Sequence, residues 1–134
     1  MTNVVIDTNV LVSAVLSPNG NPAQVLKIVT DSEEKSLYYS SEIIGEYRKV
    51  LSYDKLKIGN EEKTRAIDLI QRIGKRINPT VSTITLPDES DRIFYDTAKE
   101  CGAILVTGNI KHYPTEPSIM TPADFIISLK TDEM

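Results

Sequence analysis

Apolar positions along the chain follow two alternating patterns. Val4-Val5-Ile6 is a short β-branched run that ends at an acid and a turn-compatible Thr8-Asn9 pair, which predicts a buried parallel strand. From Asn9 to Leu16 the apolar residues fall at 10, 11, 14 and 15, the spacing of a helix face. The stretch Ser17–Pro22 breaks that helix, and Pro22 can open a second one with Val25, Leu26 and Val29 on one side. Leu37–Tyr39 reads as a strand. Ser40 or Ser41 then caps a helix to about Leu51, with Ile43, Ile44, Tyr47 and Leu51 turned inward. A helix over Asn60–Gly74 buries Ala66, Ile67, Ile70 and Ile73, and Val81, Ile84 and Leu86 mark an extended stretch. The segment Pro87–Asp91 leads into a helix ending near Cys101-Gly102, where the glycine suits a C-cap. Ile104–Thr107 and Ile119–Met120 are further strands, and Thr121-Pro122 starts a terminal helix. Strands alternating with helices predict an α/β fold: a three-layer α/β/α sandwich around a central, mostly parallel sheet. Ligands of such sheets bind at the carboxyl ends of the strands.

Length and composition narrow the class. At 134 residues the expectation is one domain over 1–134. A 40% hydrophobic and 25% charged composition fits a globular chain and argues against disorder. No apolar run approaches the roughly 20 residues that span a bilayer, so no membrane partner is expected. The start lacks a basic region followed by an apolar one, which leads to the expectation of a cytoplasmic protein. Cys101 is the only cysteine and His112 the only histidine. An intramolecular disulfide and a multi-histidine zinc site are thereby excluded, and a serine–histidine triad is disfavoured. His112 itself reads as a loop or surface residue. The remaining reactive groups are carboxylates.

Charge is unevenly distributed. The net charge is −4, but the span Arg48–Arg76 holds nine basic and four acidic residues, a net of +5. The remainder, with six basic and fifteen acidic residues, carries −9. Lysines and arginines there could simply be a solvated helix face; the sharper reading is a surface for phosphates beside an acidic site.

The acids fall at the ends of elements. Asp7 directly follows the first strand, where a carboxylate among apolar neighbours needs partners or a metal. Thr8 and Asn9 can share the helix-capping work and leave Asp7 for another role. Glu46 is three residues from Ile43, at the edge of a buried helix face. Asp88 and Asp91 have the spacing of a capping box. Thr107-Gly108-Asn109 follows a strong strand and adds a hydroxyl and an amide oxygen. With neither thiolate nor histidine among them, these oxygen ligands suit a hard cation, Mg²⁺ or Mn²⁺.

These residues resemble the PIN-domain family of metal-dependent nucleases. Val4-Val5-Ile6-Asp7-Thr8-Asn9-Val10-Leu11 is similar to the family's opening motif, with the first acid at Asp7. The helix Ser41–Tyr47 resembles the one supplying the glutamate, here Glu46. Asp88–Tyr95 resembles the segment of the third acid, Asp91. Val106-Thr107-Gly108-Asn109 resembles Val-Thr-Gly-Asp, so Asn109 stands where a fourth acid is often found. The following Ile110–Pro114 resembles a bacterial branch related to toxins of toxin–antitoxin pairs. The resemblance implies a Mg²⁺- or Mn²⁺-dependent ribonuclease with RNA as substrate, an antitoxin protein as partner, and a homodimer. Asp7, Glu46, Asp91 and Asn109 are its implied catalytic set, with the metal on Asp7, Asp91 and Glu46. Thr8, Asn9, Asp88 and Thr107 are expected to orient ligands and water around it. Arg48, Lys49, Lys55 and Lys57 are the expected phosphate contacts.

Competing readings are weaker. A haloacid-dehalogenase-like phosphatase needs a second aspartate two residues after the first, where this chain has Asn9. A phosphorelay receiver needs an aspartate ending a central strand near residue 50, but Asp54 follows a helix in a basic loop. A third reading is a catalytically weak binding module acting through a protein partner, motivated by the missing charge at Asn109.

Overall fold

The computed structural model describes residues 2–132. Five strands form one sheet: β1 (Thr2–Ile6), β2 (Lys35–Tyr39), β3 (Lys75–Arg76), β4 (Ile104–Val106) and β5 (Ile119–Met120). Their order is β3-β2-β1-β4-β5 and every pairing is parallel. The chain builds outward from β1 to β3 and then returns to β1's other side with β4. The topological switch therefore lies between β1 and β4, where parallel sheets open a crevice beyond the strands' carboxyl ends. Register places Ile6 opposite Val106, so the next residues, Asp7 and Thr107, emerge side by side.

Six helices complete the α/β/α layers: α1 (Thr8–Leu16), α2 (Asn21–Asp31), α3 (Ser41–Leu51), α4 (Asn60–Ile73), α5 (Arg92–Glu100) and α6 (Pro122–Asp132). Helix α2 packs on α1 and α6, while α3 packs on α4 and α5 and touches α1. Helices on both sides explain why the central strands are continuously apolar: Val4, Val5, Leu105 and Val106 are wholly buried. Tyr47 and Phe94 fill the space between α3 and α5, their ring centroids 6.2 Å apart. No described helix is long and apolar enough to cross a membrane.

Most expected elements are present, with boundaries moved by a residue or two. Ser40 caps α3 by accepting from the Ile43 amide at 3.2 Å, and Gly102 follows α5 with a positive φ of 59°. Strand β3 is one the apolar pattern missed. It consists of two exposed charged residues, and a charged edge strand has no hydrophobic signature. The extended stretch through Val81, Ile84 and Leu86 pairs with no strand; Leu86 is buried and Val81 is exposed. Arg92 fastens it instead, its guanidinium donating to the Ser82 and Ile84 carbonyls while pairing with Glu89.

Gly74 joins α4 to β3 at a close approach. A Cβ there would sit 2.6 Å from the Ile70 carbonyl oxygen and 2.9 Å from the Tyr39 ring. Gly74→Ala is therefore expected to cost about 1–3 kcal/mol through overpacking against backbone and a buried ring. A denaturant midpoint unchanged from the parent would show that the helix end can shift freely, contrary to this packing.

Candidate active site

Asp7 is only 4% exposed, and its two carboxylate oxygens have separate work. Oδ1 accepts from the Thr8 amide at 2.7 Å, so Asp7 itself is the N-cap of α1. The expectation that Thr8 and Asn9 would relieve it of capping is thus corrected: Asp7 does the capping itself. Oδ2 accepts from the Thr107 hydroxyl at 2.8 Å, the Tyr113 hydroxyl at 2.9 Å and Asn9 Nδ2 at 3.3 Å. The two hydroxyls come from sites 100 and 106 residues away in the chain, brought to Asp7 by the β1–β4 pairing. Such a donor set satisfies the buried charge that apolar neighbours alone would disfavour. Beneath it, the Tyr47 hydroxyl donates to the Ile6 carbonyl, which ties α3 to the end of β1.

Asn9 joins the two strand ends. Its Oδ1 accepts from the Gly108 amide at 2.8 Å while its Nδ2 reaches Asp7. Thr107 Oγ1 in turn accepts from the Asn109 amide at 3.0 Å, shaping the turn that carries Asn109. The Asn109 side chain is exposed at the mouth of the cleft.

Asp88 and Asp91 flank the 3-10 turn Glu89–Asp91 that leads into α5. Asp88 Oδ1 accepts from the Ser90 amide and hydroxyl, which holds its carboxyl below the usual range. The reciprocal half of a capping box is not what Asp91 makes. Its Oδ2 lies 3.1 Å from His112 Nδ1. Burial first, then the nearby Asp7 charge, push the Asp91 carboxyl above its ordinary value, against the opposing contact with His112. Burial and the charges of Asp7 and Asp91 likewise raise the Tyr113 phenol, keeping it a neutral donor.

A cleft of about 420 Å³ gathers the acids. Asp7, Glu46, Asp88, Asp91, Asn109 and His112 all line it. Glu46 reaches it from α3, whose Ile43 and Tyr47 are buried while Glu46 is intermediate, as its place at the edge of the apolar face requires. The acids expected to share an ion, Asp7, Glu46 and Asp91, are thus walls of one cleft. The group whose ligand atoms already lie within 4.8 Å of one another is Asp88, Asp91 and His112. The donor set fits a cation: burial raises the Asp91 carboxyl most, and the repulsion from Asp7 and Asp88 that adds to it is what a positive ion would relieve.

The basic residues divide. Lys55, on the 3-10 turn Asp54–Leu56, lines the acidic cleft with Tyr53 beside it. Arg48 faces a separate groove between α3 and α4, where it contacts Gln71. Lys49 and Lys57 are exposed and line neither. Sequence reasoning set His112 down as a loop or surface residue, which fits its half-exposed 3-10 turn but not its contact with Asp91, and it did not single out Tyr113. The only available signal was their position just after the Thr107–Asn109 turn; the contacts to Asp91 and Asp7 exist only once β1 and β4 are paired.

A parallel sheet in 3-2-1-4-5 order, with acids converging at the carboxyl ends of its central strands, defines a class of α/β proteins with a polar, anionic crevice at the switch point. The PIN domain family model matches residues 3–111, and the chain belongs to that family. It is 36% identical over 110 residues to an uncharacterized protein of Methanocaldococcus jannaschii, covering 79% of this chain and 70% of that one. In fold it is similar to VapBC2 from Rickettsia felis, whose crystal structure is bound to a DNA fragment from their promoter. The TM-score is 0.60 at 17% identity, over 90% of this chain and 97% of the other.

Proposed function

We propose that this protein is a Mg²⁺- or Mn²⁺-dependent ribonuclease that hydrolyses RNA phosphodiester bonds, acting as the toxin of a toxin–antitoxin pair. PIN domains are generally nucleases and typically use divalent metals. The observation that carries the reading is the convergence of Asp7, Glu46, Asp88 and Asp91 on one cleft at the switch point. The fold likeness to VapBC2 supports the toxin–antitoxin setting and an antitoxin protein as partner.

In this reading Asp7, Asp91 and Glu46 hold the metal. The bound ion supplies a water of lowered pKa and neutralises charge on the phosphoryl oxygens. The remaining work belongs to side chains. Thr107, Tyr113 and Asn9 fix Asp7 Oδ2 and leave Oδ1, with a single backbone donor, the less occupied oxygen. Asn109 orients water at the mouth, the buried Thr107 acts on it only through Asp7 and the turn it shapes, and Lys55 meets a phosphate flanking the scissile one. Phosphate contacts of this kind add affinity without reading sequence.

Cleavage of a mixed single-stranded RNA pool in Mg²⁺ or Mn²⁺, abolished by EDTA, is the direct test. The second expected result is thermodynamic. Millimolar Mn²⁺ raises the melting temperature, by about 2.7 kcal/mol of native-state stabilisation at 100-fold excess over Kd. A metal-induced shift without cleavage of RNA would favour the binding module. Coincident melting curves in EDTA and Mn²⁺ would remove the metal site.

A further inference from the structure

We infer that His112 is a nitrogen ligand of the metal, adding a neutral donor at a site where Asn109 brings no carboxylate, and that it biases the site toward Mn²⁺ over Mg²⁺. The inference rests on the metal-site reading above and specifies its donor set.

Geometry is the first support. His112 Nδ1 lies 3.1 Å from Asp91 Oδ2, and the ligand atoms of Asp88, Asp91 and His112 all fall within 4.8 Å. Two ligands at right angles on an ion about 2.1 Å away are themselves about 3 Å apart, and opposed ligands about 4.2 Å apart. The His112–Asp91 separation therefore already matches two adjacent positions around one ion, and Asp88 lies near enough to join them after a small movement.

The second support is how the histidine is held. The 3-10 turn Ile110–His112 is closed by the His112 amide donating to the Asn109 carbonyl at 2.9 Å. The next residue, Tyr113, is buried and anchored through its hydroxyl to Asp7 Oδ2. His112 is thus fastened on both sides to the same strand ends that place Asp7. Its ring is 45% exposed while Asp91 is 13% exposed, so a ligand held between them keeps one side open to solvent and substrate. A further observation concerns the same cleft. Thr8 lines it, and its buried Oγ1 has no hydrogen-bond partner among the described residues.

The chemistry then sets the preference. Mg²⁺ favours all-oxygen surroundings, whereas imidazole suits transition metals. The family's fourth acid would complete an oxygen set. Here that position is a neutral, exposed asparagine, and the side-chain donor in contact with Asp91 is a nitrogen. His112 as a mere hydrogen-bond partner that orients Asp91 would leave the metal preference to the carboxylates alone.

His112 is the only histidine of the chain, so an imidazole signal in untagged protein has one possible source. Pulsed EPR of the Mn²⁺-loaded protein is expected to show ¹⁴N coupling from a coordinated imidazole, lost in His112→Gln. Calorimetric titration should show Mn²⁺ affinity falling about tenfold or more in that variant, with Mg²⁺ affinity changed less than about threefold. Bound Mn²⁺ without nitrogen coupling in the parent protein overturns the inference and leaves the carboxylate site standing. Equal losses for the two metals also overturn it, since they point to an orienting role. If the parent protein binds neither metal by thermal shift, the metal-site reading falls and this inference with it.

Discussion

Under the proposed ribonuclease function, Asp7→Asn is expected to lower single-turnover RNA cleavage by about a hundredfold or more, because it would remove a central anionic ligand of the metal. The fold survives the change. Asparagine keeps the shape, and its Oδ1 still accepts from the Thr8 amide that starts α1. Its amide group then faces the hydroxyls of Thr107 and Tyr113, each of which can turn to accept a hydrogen bond instead of donating one. The contact with Asn9 Nδ2, the longest at 3.3 Å, is lost. Removing the charge also relieves Asp91, whose carboxyl is raised by burial and by Asp7. Stability without metal should therefore move by about 1 kcal/mol or less, while the Mn²⁺-induced melting shift shrinks or disappears. A purified variant with a parental circular-dichroism spectrum that still cleaves RNA at the parental rate would refute the assignment of Asp7.

Phe94→Ala has the largest expected effect on stability. Phe94 is 2% exposed, packs its ring on Tyr47, and forms part of the cleft floor three residues after Asp91. Truncation leaves a cavity between α3 and α5, and losses of about 3–5 kcal/mol are typical for such a change. That is a large share of the 5–15 kcal/mol that holds a domain together. The melting temperature should fall by on the order of 10 °C. The damage also reaches the chemistry: Glu46 and Asp91 ride on the two helices whose contact is lost, so metal affinity should drop along with stability. Phe94→Leu, which retains most of the volume, should recover most of both. A loss below about 1 kcal/mol in the alanine form would mean that the ring does not support this contact.

Much of this protein was legible without coordinates. Val4–Ile6 and Ile104–Val106 are apolar on every position because helices cover both faces of the central strands, and that demand is written into residue type alone. The same holds for the inward stripe of α3 and the cap at Ser40. Asp7, Glu46, Asp88 and Asp91 could be singled out because an acid beside a buried run is costly unless it has a purpose. The family resemblance added an expected order and set of roles that spacing could not supply, and the PIN domain match over residues 3–111 agrees with the family.

Local periodicity and side-chain type thus encode the alternation of strands and helices, most of the buried faces and the family; Ile73, expected inside, is exposed at the end of α4. Pairing across the chain lay beyond what the sequence by itself determined. The charged edge strand β3 exists only because β2 offers it backbone partners, so no apolar pattern announces it. The division of the basic segment between Lys55 at the cleft and Arg48 in another groove depends on how α3 and α4 pack. His112 and Tyr113 belong to a loop far in sequence from the acids they touch. Only the parallel pairing of β1 with β4 sets Tyr113 on Asp7, and only the docking of α5 beside them sets His112 on Asp91. Local chemistry selected the acids; tertiary packing decided which other side chains join them.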